Sequence, residues 1–413
     1  IMEALQKDLG KSPFESYASE IGMVLAELRY AQKHLAKWDR PRRAGVPFTH
    51  FPAAGKIYRE PYGVSLVIAP WNYPFQLIAV PLVNAIAAGN CIVCKPSELA
   101  PYTAAVFQKM IQQTFPADYV QVVCGGPEVS EALLEQPFDM IFFTGSPRVG
   151  KLVMRAAAQH LTPVVLELGG KSPCIVDETA DIPCTARRIV WGKFLNAGQT
   201  CVAPDYLLVH RSVQNALVAE MKQAIRRGYT DQPLQCGDYP KILQPEHLDK
   251  LRRWMEDGIV LCGGKIDTAT QKIEPTLLGN VTWESPVMQQ EIFGPVLPIL
   301  AFDTLDEAAR QIRGRPHPLA LYIFSRNKRA VRWLTQSLTY GGCCVNDTLM
   351  HITLPQLPFG GVGKSGMGAY HGKAGFEAFS RPKSVLRRGL HPDIPLRYPP
   401  YEGKLAQLKK WLR

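Results

Sequence analysis

The sequence predicts an α/β protein: a Rossmann-like, doubly wound parallel sheet followed by a second α/β domain. Three observations predict it. Between Tyr62 and Gly170, five short apolar runs alternate with four helix-like stretches. The alternation resumes after Lys171 with five more apolar runs. At 413 residues the chain is also too long for one ordinary core, since domains usually hold ~100–200 residues.

The elements follow in order. Lys7 to Lys37 carries apolar residues at mixed three- and four-residue spacing and predicts one amphipathic helix, ended by Pro41 and Gly45. The first strand candidate is GVSLVIAP, with a helix over Leu77 to Ala88, then NCIVCKP and a helix from Tyr102 to Phe115. YVQVVCGG, a helix over Val129 to Glu135, FDMIFFTGS, a helix over Val149 to Gln159 and PVVLELGG complete the first region. In the second, strands are expected at SPCIV, YLLVH, FGPVLPIL, ALYIF and GGCCVN, with helices at Thr185 to Leu195, Gln214 to Arg226, Leu305 to Ile312 and Arg329 to Leu338. RYPPYEG marks an extended tail.

Composition narrows the function classes. With 46% hydrophobic and 20% charged residues, the chain is globular in type, and it lacks the run of ~18 apolar residues needed to span a bilayer. Charges in Ile1 to Gly10 occupy the place of a secretory core, and the opening Ile-Met suggests missing N-terminal sequence. Ten irregularly spaced cysteines argue for free thiols in a reducing, cytoplasmic setting. Cys91 and Cys94 lie in an apolar run and read as packing rather than as a redox or metal pair. The net charge of +11 does not indicate nucleic acid, because most of it falls after Ser380, without a nucleic-acid motif or interleaved stacking aromatics.

Several residues sit where open α/β sheets bind ligands. Asn72 follows the first strand, where its amide could cap the next helix or donate to a developing oxyanion. Lys95 and Glu98 follow the second strand, where they read either as a surface lysine and a helix-start glutamate or as a ribose site, in which a carboxylate accepts from ribose hydroxyls and repels a 2′-phosphate. GSPRVG, with Gly145 and Gly150, departs from the G-x-G-x-x-G spacing but forms a glycine turn into a helix N-terminus, which suits a phosphate. Glu167 and Cys201 are 34 positions apart; if they meet, cysteine supplies a nucleophile for carbonyl carbon and glutamate a base for water.

The strings PWNYPF, KPSE, FFTGSPRVGK, HLTPVVLELGGKSPC, WGKFLNAGQTCVAPDY, VMQQEIFGPVLPI, PLALYIFS, LPFGGVGKSGMGAYHGK and RYPP run in order from about Tyr62 to Tyr398. With them the sequence resembles the aldehyde dehydrogenase superfamily, most closely its short, dimeric class 3 branch. The resemblance implies NAD(P)-dependent oxidation of hydrophobic aliphatic or aromatic aldehydes to acids through a cysteine thiohemiacetal and thioester. It implies Cys201 as nucleophile, Glu167 as general base and Asn72 as oxyanion donor. It places Trp71, Lys95, Glu98, Gly145, Ser146, Gly150, Glu291 and Phe293 at the cofactor, NAD with NADP also accepted, and implies no metal site. Residues 1–42 and 62–169 would form the dinucleotide-binding domain, 170–379 the catalytic domain, and 43–61 with 380–413 a β oligomerisation arm and tail.

A homodimer follows from the same resemblance. The basic end KLAQLKKWLR reads either as a solvated end packing on its own dimer or as a weak contact with an anionic membrane surface, in which case the protein would be membrane-peripheral. His351, His371, Cys343 and Cys344 read as structural, while Trp191 and Phe359 could line a substrate tunnel or simply pack. Two other functions are open to this sequence: a CoA-acylating dehydrogenase, against which Glu167 argues, and a non-catalytic descendant, against which the retained Cys201, Glu167 and Asn72 argue.

Overall fold

The computed structural model describes residues 1–412. Its first sheet has six strands in the spatial order Gly366–Met367, Val164–Glu167, Met140–Thr144, Val64–Ile68, Cys91–Lys95 and Val120–Val122. All pairs are parallel except that of Gly366–Met367 with Val164–Glu167. Sequence order reverses between Val64–Ile68 and Met140–Thr144, and this switch point opens the crevice in which such sheets bind ligands. Helices Gln76–Ala88, Pro101–Thr114, Pro127–Leu134 and Pro147–His160 join the strands, close to the predicted alternation.

The second sheet has seven strands, ordered Ile259–Cys262, Thr276–Gly279, Val296–Phe302, Tyr206–His210, Pro173–Val176, Ala320–Phe324 and Gly342–Val345. Its five central and far-edge strands are those expected. Ile259–Cys262 and Thr276–Gly279 were not expected, because the first is a half-exposed antiparallel edge and the second a buried run of only four residues. One apolar face of the first sheet merges with the second sheet in a continuous core from Val24 to Phe379, which fixes one sheet against the other, while its opposite face packs separately around Leu66, Ile141 and Leu166.

Residues Arg42–Ala44, Ala53–Pro61 and Ser380–Arg388 form a separate antiparallel ribbon, and the last two pair over nine residues from Ser380 opposite Pro61 to Arg388 opposite Ala53. Glu60 holds Arg381 at 2.7 Å and Lys383 at 2.8 Å on its exposed face.

The single helix expected over Lys7 to Lys37 is corrected. Gly10 takes a left-handed conformation (φ 73°) that ends Met2–Leu9, Ser12 caps the turn Pro13–Ser16, and a π-helical turn at Tyr17–Ile21 leads into Gly22–Trp38. The apolar period survives the break, so periodicity alone could not reveal it. Among the described residues, no helix is long and apolar enough to cross a membrane.

Candidate active site

Cys201 is half-buried on the wall of a cleft of about 620 Å³ that also exposes Thr200, Trp191, Phe359, Tyr370 and His371. The chain reaches Cys201 through a tight turn in which Asn196, Ala197 and Gly198 are all left-handed (φ 52°, 50° and 75°). Only glycine fits at 198, because a Cβ there would collide with the Gly294 carbonyl. That close approach brings the Glu291–Gly294 loop against the cysteine turn.

Burial pushes the Cys201 thiol up, the Glu291 and Glu167 carboxylates push in the same direction, and the Cys201 and Val202 backbone N–H groups oppose them. Glu167, at the end of its strand, is buried with no partner for either oxygen, and burial raises it well above the ordinary carboxylate range. The structure therefore brings Cys201, Glu167 and Glu291 into one electrostatic neighbourhood.

Asn72 does not cap the following helix; that alternative is corrected. Glu20 does so instead, its Oε2 accepting from Phe75 N at 3.0 Å and Gln76 N at 2.9 Å. Asn72 Nδ2 donates to the Gln199 carbonyl at 3.0 Å, which commits one amide hydrogen and leaves the second beside the cysteine turn.

On the crevice side, Lys95 Nζ donates to Glu98 Oε2 at 2.7 Å. Ser146 caps Pro147–His160 by accepting from Val149 N at 3.3 Å. A Cβ at Gly145 would meet the Phe143 ring and one at Gly150 would meet Leu168, so both glycines permit close strand–helix packing. Trp71 and Phe293 meet edge to face at 5.6 Å. Glu291 lies in a cradle that any Cβ at Gly169 would fill, and burial raises its carboxyl to about 8.

His351 and His371 are buried, and burial lowers both to about 4, which keeps them neutral near pH 7. Trp191 and Phe359 both line the cleft. Cys343 and Cys344 sit half-buried in the edge strand Gly342–Val345. Sequence reasoning missed Lys11, Glu15, Glu20 and Asn196, all buried around Asn72, and Lys193, whose buried and unpartnered ammonium is lowered to about 8.

A doubly wound sheet with a switch point, and a cleft-lining cysteine within electrostatic reach of a buried carboxylate, define the class of protein as an α/β enzyme. The chain belongs to the aldehyde dehydrogenase family, whose model matches residues 1–385. It is 47% identical to the 4,4'-diaponeurosporen-aldehyde dehydrogenase of Staphylococcus aureus, covering 100% of this chain and 90% of that one. A mouse protein named aldehyde dehydrogenase, dimeric NADP-preferring, is 46% identical, over 98% of this chain and 90% of its own. The solved substrate-bound Staphylococcus aureus AldH superposes with a TM-score of 0.97 at 47% identity, covering 100% of this chain and 90% of that chain. Members of aldehyde dehydrogenase family 3 match at a similar level, so the chain is class 3-like and an oxidoreductase acting on aldehydes.

Proposed function

We propose that this enzyme oxidises hydrophobic aldehydes to carboxylic acids with a nicotinamide dinucleotide, through covalent attachment to Cys201. The observation that carries the reading is the position of Cys201 in an apolar cleft, within electrostatic reach of Glu167 and beside the free amide hydrogen of Asn72. The Cys201 thiol gives up its proton to water in the cleft, the thiolate attacks the aldehyde carbon, and the carbonyl oxygen becomes an oxyanion that the Asn72 amide and the Cys201 N–H stabilise. A bound oxidised dinucleotide supplies the hydride acceptor and a positive charge to offset the two carboxylates. Loss of hydride leaves the acyl group on Cys201 as a thioester. Glu167 takes a proton from water, and the resulting hydroxide resolves the thioester to acid and free thiol. Burial raises the proton affinity of Glu167, so its ionised form is a stronger base than an exposed carboxylate and is the form that acts here.

The residues present fit the dinucleotide. The Gly169 cradle leaves Glu291 room to accept from ribose hydroxyls, and Trp71 and Phe293 offer apolar contact to the nicotinamide end. Gly145, Ser146 and Gly150 form the turn into the N-terminus of Pro147–His160, which suits the pyrophosphate. Lys95 and Glu98 would hold the adenosine ribose. Glu98 disfavours a 2′-phosphate and Lys95 offsets this, so NAD is the preferred cofactor and NADP is accepted. In this reading residues 1–42 and 62–169 bind the cofactor, 170–379 carry the thiol, and 43–61 with 380–413 form a homodimer arm and tail; the protein works in the cytoplasm.

Chain length and aromaticity of the aldehyde follow from the apolar wall, where Trp191, Phe359, Val190 and Leu349 favour alkyl and aryl tails over charged ones. Cys201→Ser tests the whole scheme: turnover of hexanal or benzaldehyde is expected to disappear while NAD still quenches tryptophan fluorescence. Turnover near the parent rate would remove the central claim.

A further inference from the structure

Eleven residues into the chain, a buried ion pair grips the segment that bears Asn72. Lys11 and Glu20 are both fully buried and joined at 2.6 Å. Lys11 Nζ also donates to the Asn72 carbonyl at 3.0 Å and lies 4.0 Å from the centre of the Tyr73 ring. The other oxygen of Glu20 accepts from Phe75 N and Gln76 N, so the pair spans the loop from Asn72 to the first turn of Gln76–Ala88. Asn196 Nδ2 completes the frame, donating to the Asn72 carbonyl at 2.8 Å and to Gln199 O at 3.1 Å. Two donors, Lys11 Nζ and Asn196 Nδ2, therefore fix the Asn72 carbonyl, Glu20 fixes the Phe75 and Gln76 N–H groups that follow, and the side-chain amide, tied to Gln199 O, is carried on a held backbone.

Two full charges in a dry site cost several kcal/mol to desolvate, and apolar residues of similar volume often stabilise a fold as well or better. A need for bare stability therefore gives no reason to place an ion pair here. An oxyanion donor does give one, because a misplacement of ~1 Å can cost ~10² in rate.

We propose that Lys11 and Glu20 are positioning residues for the oxyanion site, holding the Asn72 amide at its working angle during attack by Cys201. The proposal rests on the oxyanion role given to Asn72 above.

The test reads acylation with and without cofactor. p-Nitrophenyl acetate passes through the same tetrahedral oxyanion at Cys201, expels p-nitrophenolate and leaves an acetyl thioester, so its first turnover reports the oxyanion site without a dinucleotide. Asn72→Ala is expected to slow both this step and the first turnover of aldehyde by ~10²–10³. Glu20→Gln and the double variant Lys11→Met/Glu20→Met are expected to slow both steps by ~10–10², with NAD affinity unchanged. Glu20→Gln is the safeguard against misfolding, since its amide oxygen can still accept from Phe75 N and Gln76 N, whereas the double variant leaves both without an acceptor and is expected to melt lower. In an Asn72→Ala background the same changes should slow acylation by less than about twofold, because the group they position is already gone. Additive losses there, or a full-rate first turnover in either variant, would overturn the positioning role alone. A full-rate Asn72→Ala would instead overturn the oxyanion reading on which it rests.

Discussion

Glu167 and Glu15 are both buried carboxyls with raised proton affinity, yet they predict different experiments. Glu167→Gln cannot take water's proton, so a pre-steady-state burst of reduced cofactor should persist while steady-state turnover collapses. Unchanged turnover in that variant would assign the base elsewhere. Glu15 lines the cleft and is raised by burial to about 7 from its ordinary 4.5, with Lys11 and the Asn196 backbone opposing the rise. Below 4.5 the folded and unfolded chains both hold this proton and stability is unaffected. As pH climbs from 4.5 towards 7, the unfolded chain releases the proton freely while the folded one retains it, so stability is lost across that window. Glu15→Gln keeps the side chain's shape and removes the titration. Its melting temperature should therefore fall less than that of the parent between about pH 5 and pH 7, and parallel profiles would contradict the shift. Sequence made Asn72, Glu167 and Cys201 legible, because each follows or ends a strand or follows a glycine turn, whereas Glu291 was reached only through the family resemblance of its EIFGP string. It left Lys11, Glu15 and Glu20 invisible, since charges spaced along an amphipathic pattern read as a solvated face until the fold buries them.

Among the elements, the long parallel strands were readable and the thin edges were not. Buried runs such as FDMIFFTGS and ALYIF announce themselves by continuous apolar residues, whereas Ile259–Cys262 alternates weakly at a half-exposed edge and Gly366–Met367 is two residues long. Strand Ser380–Arg388 is also mostly exposed, with Val385 and Leu386 facing solvent and only Ala53–Pro61 beside it. An open edge of nine residues suits pairing with a second copy, the role proposed for the arm. A chain ending at Phe379 should elute as a monomer in size-exclusion chromatography, while one ending at Tyr401 should remain a dimer; a dimer in both would move the interface elsewhere. Beyond Tyr401, helix Leu405–Trp411 exposes Leu405, Leu408 and Trp411 among lysines. The tail is expected to rest on its dimer, and salt-sensitive sedimentation with anionic vesicles, lost when the chain ends at Tyr401, would assign it to a membrane surface.

At the scale of the whole molecule, the two α/β units are not successive beads on a string. The two-strand alternation was legible because each unit repeats the same period switch, but no local signal told that residues 366–367 return to the first sheet and pair with Leu166 and Glu167. The return has a consequence in time. The strand carrying the proposed base is synthesised early, yet its neighbour emerges about 200 residues later, which at ribosomal speeds of ~5–20 residues per second is roughly 10–40 s. During that interval the nascent chain carries an unpaired strand edge open to a neighbouring chain. The site is thus sealed among the last acts of synthesis, and a ribosome stalled before Gly366 would release an aggregation-prone edge ending in the very residue proposed to activate water.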